Sequence, residues 1–121
     1  MRLADATLAS AHAELPGYDR ARIAATAGVV HLGLGAFTRA HQAVVFDDLL
    51  RAGHDGFAMT GVSLRNRDVR DALIPQNGLY TLAVRSPSVA VDRVIGSVAD
   101  VLHAPTDPGA VVDRLADPHT R

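Results

Sequence analysis

A chain of 121 residues, 48% of them apolar, has material for one hydrophobic core and for one domain at most. A formal net charge of −1 gives no electrostatic footprint for nucleic acid or an anionic membrane, and the absence of Trp argues against a base-stacking platform. The absence of cysteine excludes disulfides and thiolate metal sites.

Residues 1–28 read as an N-terminal lead-in to a body spanning 29–121. Asp5, His12, Glu14, Asp19 and Arg20 interrupt any apolar run there, so the segment is not a secretory signal. No run in the chain approaches the roughly 18 apolar residues of a membrane span, and a cytoplasmic protein without a membrane partner is expected. Leu3 to Ala13 has helical character, which Pro16-Gly17 stops. Tyr18 and Ile23 are placed to anchor the segment on the body.

Val29 to Leu34 is an apolar run with little alternation, as in a parallel strand covered on both faces. Gly33 and Gly35 follow, then a helical stretch from about Arg39 to Ala52. Val45, Phe46 and Leu49 give that helix its apolar side, Asp47, Asp48 and Arg51 its polar positions, and Gly53 its stop. Phe57 to Val62 is a second strand, completing a βαβ unit. Strand, glycine turn and helix is the layout that binds a dinucleotide pyrophosphate. One glycine permits the tight turn, a second lets backbone approach the phosphates, and the helix start offers free N–H groups. The third glycine of the G-x-G-x-x-G pattern is replaced here by Thr38.

Beyond the βαβ unit the pattern changes. Arg65 to Asp71 is a charged run, and Pro75-Gln76-Asn77-Gly78 is a turn cluster. Leu79 to Arg85 and Val89 to Ile95 alternate on either side of Ser86-Pro87-Ser88, which reads as an antiparallel hairpin. Ser97-Val98-Ala99-Asp100 has capping-box character and predicts a short helix to His103. Asp107-Pro108 opens a last helix with Val111, Val112 and Leu115 on its apolar side, and Asp117-Pro118 ends it.

Several side chains are candidates for chemistry. Phe37, taken alone, reads as a core aromatic. Arg39 is a cation near a helix N-terminus, an unfavourable place unless an anion compensates. Asp68 lies a few residues past the second strand, where a carboxylate can accept hydrogen bonds from ribose hydroxyls. Asp55 is nearer the usual spacing from the glycines but precedes that strand, at its wrong end. The six histidines show no HxH or HxxxH pair, so no metal site is expected.

The stretch Gly33-x-Gly35-x-Phe37-x-Arg39-Ala40-His41-Gln42 resembles the opening of the mannitol dehydrogenase and fructuronate reductase family, the polyol-specific long-chain dehydrogenases. Gly61-Val62-Ser63-Leu64-Arg65, Gln76-Asn77-Gly78-Leu79-Tyr80-Thr81-Leu82, Val94-Ile95-Gly96-Ser97 and Leu115-Ala116-Asp117-Pro118 extend the likeness to the end of the chain. The resemblance implies an α/β fold: part of a Rossmann-type, doubly wound sheet with an added hairpin, ending in mid-domain and without its substrate domain. It implies NAD as cofactor, with NADP possible, and a polyol or sugar-acid substrate such as mannitol or mannonate. The cofactor site it implies comprises Gly33, Gly35, Ala36, Phe37, Arg39 and Asp68. The family's catalytic lysine, asparagines and histidine lie downstream, so no catalytic residue is expected here and the 121 residues alone should be inactive. The alternative is a stand-alone nucleotide-binding or regulatory module.

Overall fold

In the computed structural model, which describes residues 2–11, 13–26, 28–88 and 90–121, Val29–Leu32 forms β1 and Met59–Ser63 forms β2. The two pair in parallel, Val29 opposite Met59 and Leu32 opposite Val62, as the βαβ reading requires. Two helices link them, α2 (Ala36–Ala40) and α3 (Gln42–Arg51), after a short α1 (Arg20–Ala25) in the lead-in. The hairpin is also present. Its strands β3 (Tyr80–Arg85) and β4 (Ala90–Ile95) run antiparallel as a separate sheet, with Tyr80 opposite Ile95. Val89, with which the second hairpin strand was expected to open, lies outside the described residues, as do Met1, His12 and Ala27 of the lead-in.

The segment after the hairpin departs from expectation. Val98–His103 is not a helix but a strand, β5, which pairs in parallel with β2 and gives the sheet order β1-β2-β5. The apparent capping box is used otherwise. Ser97 Oγ donates to the carbonyl of Ala43 at 2.6 Å, and the Asp100 carboxylate accepts from the Val101 N–H and from Arg114. Val98 and Val101, β-branched and fully buried, suit the pleated surface beside β2 better than a helix.

The helix after the glycines differs too. His41, at φ −125° and ψ −81°, breaks it into α2 and α3. The buried stripe of α3 is Ala43, Asp47 and Leu50, while Val45 is 56% exposed. The polar assignment of Asp47 is therefore wrong by one face of the helix. The charged run contributes a short helix, α4 (Asp68–Leu73), which a 3-10 turn, Ile74–Gln76, continues. The closing helix, α5 (Pro108–Ala116), is capped as expected, with Asp107 accepting from the Ala110 N–H at 3.0 Å. Of its three apolar candidates only Val111 is buried, and Val112 is 62% exposed.

The main core joins Leu34, Ala43 and Met59 to Leu73, Tyr80, Ile95, Val98 and Val101. A second cluster places Ile23 of α1 against Leu50 and Ala58. Each of these large side chains contributes about 1.5–3 kcal/mol on burial. Ile23 and Tyr18 thus anchor the lead-in as their apolar surfaces suggest. Glu14 adds a backbone bridge, its N–H donating to Asp92 O at 2.9 Å and its carbonyl accepting from the Val94 N–H at 2.7 Å.

Candidate functional site

The chain leaves β1 through Gly33, whose φ of +100° is open to glycine and strained for other residues. The Gly33 N–H donates to Val62 O at 2.7 Å, which draws the turn across the carboxyl end of β2. The Gly33 carbonyl accepts from His31 Nδ1 at 2.8 Å, so His31 holds the turn from the strand below. Leu34 is buried against Gly61, where a Cβ would stand 2.5 Å from Leu34 Cδ2. Gly61 therefore provides the seat for the turn.

Gly35 is different. Its φ of −80° is ordinary for any residue, and a Cβ there would meet nothing within 4 Å. Neither backbone conformation nor packing within the chain asks for glycine at this position. A Cβ at Gly33 would likewise meet open space. Both glycines therefore face open space, and Gly35 also lines a cleft.

Helix α2 opens at Gly35, and the first N–H groups of a helix have no partner within it. Ala36 and Phe37 are exposed there. Phe37 is not the core aromatic that its type suggests: it is 67% exposed and stacks on the His41 ring with centroids 4.1 Å apart. Arg39 folds back on the turn, its backbone N–H and its Nε donating to the Gly35 carbonyl at 3.1 and 3.3 Å. Its guanidinium thus lies beside the glycines. The break at His41 frees two carbonyls that an unbroken helix would have paired with the N–H groups of His41 and Ala43. His41 Nδ1 donates to Phe37 O at 2.8 Å, and the Tyr80 hydroxyl donates to Arg39 O at 2.6 Å.

Beside the turn lies a cleft of about 320 Å³. Leu34 and Gly35 form one wall, Ser63, Leu64, Arg65 and Asn66 the other, and Val69 closes it. It sits outside the carboxyl ends of two neighbouring parallel strands, where open α/β sheets bind ligands. The loop after β2 is held in place from β5. His103 Nε2 donates to Arg65 O at 2.8 Å, while Nδ1 accepts from Thr106 Oγ1 at 2.5 Å. Asp68 is exposed as the first residue of α4, next to Val69, but does not itself line the cleft. Its N–H donates to Asn66 Oδ1 at 3.1 Å. Arg67 leans away to Asp71 at 3.7 Å, so Arg65 is the guanidinium of the cleft wall.

Two features of the site were missed from sequence. One is the lining formed by Ser63, Leu64 and Asn66, for which strand-end position was the available signal. The other is Asp47, fully buried behind the helix pair. Burial alone would raise the pKa of Asp47. Hydrogen bonds from Tyr18, Arg51, the Gly96 N–H and Arg93 outweigh burial and hold it below the usual carboxylate value. A larger cleft of about 680 Å³ lies between the lead-in, α1 and β5. The buried guanidinium there, Arg20, is paired with Asp5 and with the carbonyls of Asn77, Gly96 and Val98. Among the described residues that line it, no cation is left without a partner. Among the described residues no group of three metal-ligating side chains forms, and no helix is long and apolar enough to cross a membrane.

Known proteins share this arrangement. The family model described as the mannitol dehydrogenase Rossmann domain matches residues 27–120. Mannitol 2-dehydrogenase of Aspergillus fumigatus is 42% identical over 111 residues, which is 89% of this chain and 22% of that protein. A mannitol dehydrogenase of Saccharomyces cerevisiae is 38% identical over 117 residues, 94% of this chain and 23% of its own length. Among solved structures, Pseudomonas fluorescens mannitol 2-dehydrogenase in ternary complex with NAD and D-mannitol superposes with a TM-score of 0.91 at 38% identity, covering 100% of this chain and 25% of that one. A D-sorbitol dehydrogenase in substrate-free form gives 0.89 at 34% identity, covering 100% of this chain and 26% of that one. The chain spans about a quarter of the length of these relatives. With a parallel sheet, a glycine turn at its carboxyl edge and a family model covering most of its residues, the chain belongs to the mannitol dehydrogenase family.

Proposed function

We propose that these residues are the N-terminal cofactor-binding part of an NAD-dependent polyol dehydrogenase. The observation that carries the reading is Gly35, a glycine that neither backbone conformation nor packing requires, bordering open space at the turn that leaves the half-buried edge strand β1. A pyrophosphate supplies the reason for that space, and Arg39 supplies the compensating charge. When bound, NAD takes hydride from a secondary alcohol carbon or returns it to a ketone. The relatives named for mannitol and sorbitol favour a hexitol over a sugar acid such as mannonate as substrate.

The residues have distinct tasks in this reading. Gly33 and Gly35 leave the phosphates room. Ala36, Phe37 and Arg39 face them from the first turns of α2. Arg65 and Asn66 flank the adenosine ribose, and Asp68 accepts from its hydroxyls from the start of α4. The carboxylate disfavours a 2′-phosphate and Arg65 favours one, so NAD is preferred with measurable NADP use. The test is calorimetric titration of NAD into the full-length dehydrogenase of which these residues are the proposed cofactor-binding part. Gly35→Val should weaken binding tenfold or more, about 1.4 kcal/mol. Unchanged affinity would make Gly35 a bare turn and end the reading. For Asp68, kcat/KM with both cofactors should shift toward NADP in Asp68→Ala; no shift removes Asp68 from the site.

A further inference from the structure

The break at His41 leaves α2 with five residues. A helix that short has no stability of its own in water, so its place is set by what holds it. At its front it continues from the glycine turn. At its rear the Tyr80 hydroxyl, reaching out of β3, donates to the carbonyl of Arg39, the residue whose guanidinium lies beside the turn. The Tyr80 ring is buried in the main core with Leu34, Met59 and Ile95. Burial pushes its phenol pKa far above the ordinary value, so the group remains a donor throughout the physiological range. The hairpin that carries Tyr80 lies in another sheet from the glycine turn.

We propose that Tyr80 is a positioning residue for the dinucleotide: its hydroxyl clamps the short helix that presents Ala36, Phe37 and Arg39 to the pyrophosphate. The proposal rests on the reading of the glycine turn given above. Without the clamp α2 samples several orientations, and apparent affinity falls by the fraction still competent to bind. Removal of one hydrogen bond of this kind corresponds to about a tenfold loss.

The experiment is calorimetric titration of the full-length dehydrogenase and its variants with NAD and with adenosine. Tyr80→Phe should bind NAD about tenfold more weakly and adenosine as the parent does, with an unaltered circular dichroism spectrum. Ser97→Ala removes an equivalent bond to the Ala43 carbonyl in α3, and should leave NAD affinity within about twofold of the parent. Equal weakening for adenosine and NAD in Tyr80→Phe would mean general loosening and overturn the proposal. So would parental NAD affinity in Tyr80→Phe when Gly35→Val has lost it, an outcome that leaves the glycine-turn reading standing. Parental affinity in Gly35→Val removes both readings. Should Tyr80→Phe not fold, amide exchange in the parent decides. A clamped helix protects the Arg39 N–H before NAD is added, and protection that arises only with NAD overturns the clamp.

Discussion

Asp47→Asn keeps the shape of the side chain and removes its charge, which makes it the sharpest test of how the fold supports the turn. Each carboxylate oxygen of Asp47 accepts two hydrogen bonds. Oδ1 takes the Tyr18 hydroxyl and the Gly96 N–H, and Oδ2 takes Arg51 Nε at 2.8 Å and Arg93 Nη2 at 2.5 Å. In asparagine one of these acceptors becomes an NH2 that faces donors. Loss of one partner from a buried ion pair costs about 3–5 kcal/mol. The low end applies, because Arg51 and Arg93 keep 23% and 16% exposure and retain Glu14 and Asp48 as partners. About 3 kcal/mol is a large share of the roughly 5–15 kcal/mol of a whole domain. It should lower Tm by about 10 °C.

The pH dependence provides a second check with a fixed sign. Folding lowers the Asp47 pKa, so its contribution is complete above the unfolded value of about 3.9 and is lost as pH falls through the folded value. Urea denaturation of parent and variant should therefore show a constant gap from neutral pH down to about 5, closing at greater acidity. A gap below about 0.5 kcal/mol at pH 7, or one that persists unchanged at pH 2, would refute the view of Asp47 as the ionised hub joining lead-in, α3 and β4.

Other substitutions probe the supports of the site. Gly78→Ala should cost about 3 kcal/mol in urea denaturation, because its φ is +81° and a Cβ would stand 2.2 Å from the Val98 carbonyl oxygen. Gly61→Ala should cost about 1–3 kcal/mol and weaken NAD binding in calorimetry, since the new methyl displaces Leu34 and with it the turn. Asp107→Ala removes the α5 cap, and should cost about 1 kcal/mol in the same denaturation assay while leaving NAD affinity alone.

The turn was legible because its logic is local. Gly33 and Gly35 lie two apart, an apolar strand precedes them, and nothing distant is needed to recognise the layout. The parallel pairing of β1 with β2 follows from the same reading, since a helical crossover of this length leaves little choice. The hairpin and the Asp107 cap were legible for the same reason. β5 was not, because Ser97 and Asp100 carry a helix-start pattern while the residues that make them a strand edge, Met59 to Ser63, lie far away in sequence. Tertiary pairing overrode the local signal.

Asp47 marks the deeper limit. Helical phase alone places a residue on the buried or the exposed face, and a carboxylate on a periodic helix is assigned to solvent by default. Here the donors that make its burial tolerable come from Tyr18, Arg51, Arg93 and Gly96, and only Arg51 belongs to the same helix. The same non-locality explains the helix break. A continuous helix would need neither His41 nor Tyr80 to satisfy its carbonyls, and nothing between Arg39 and Ala52 forbids continuity. The break becomes affordable because Tyr80, 41 residues on from Arg39, supplies a donor at the right point. Short helix and buried acid therefore share one cause: the hairpin and lead-in reach back to the crossover helices and hold their geometry. A change in the hairpin is then expected to be felt at the cleft beside the glycine turn, although none of the described residues of β3 or β4 lines it.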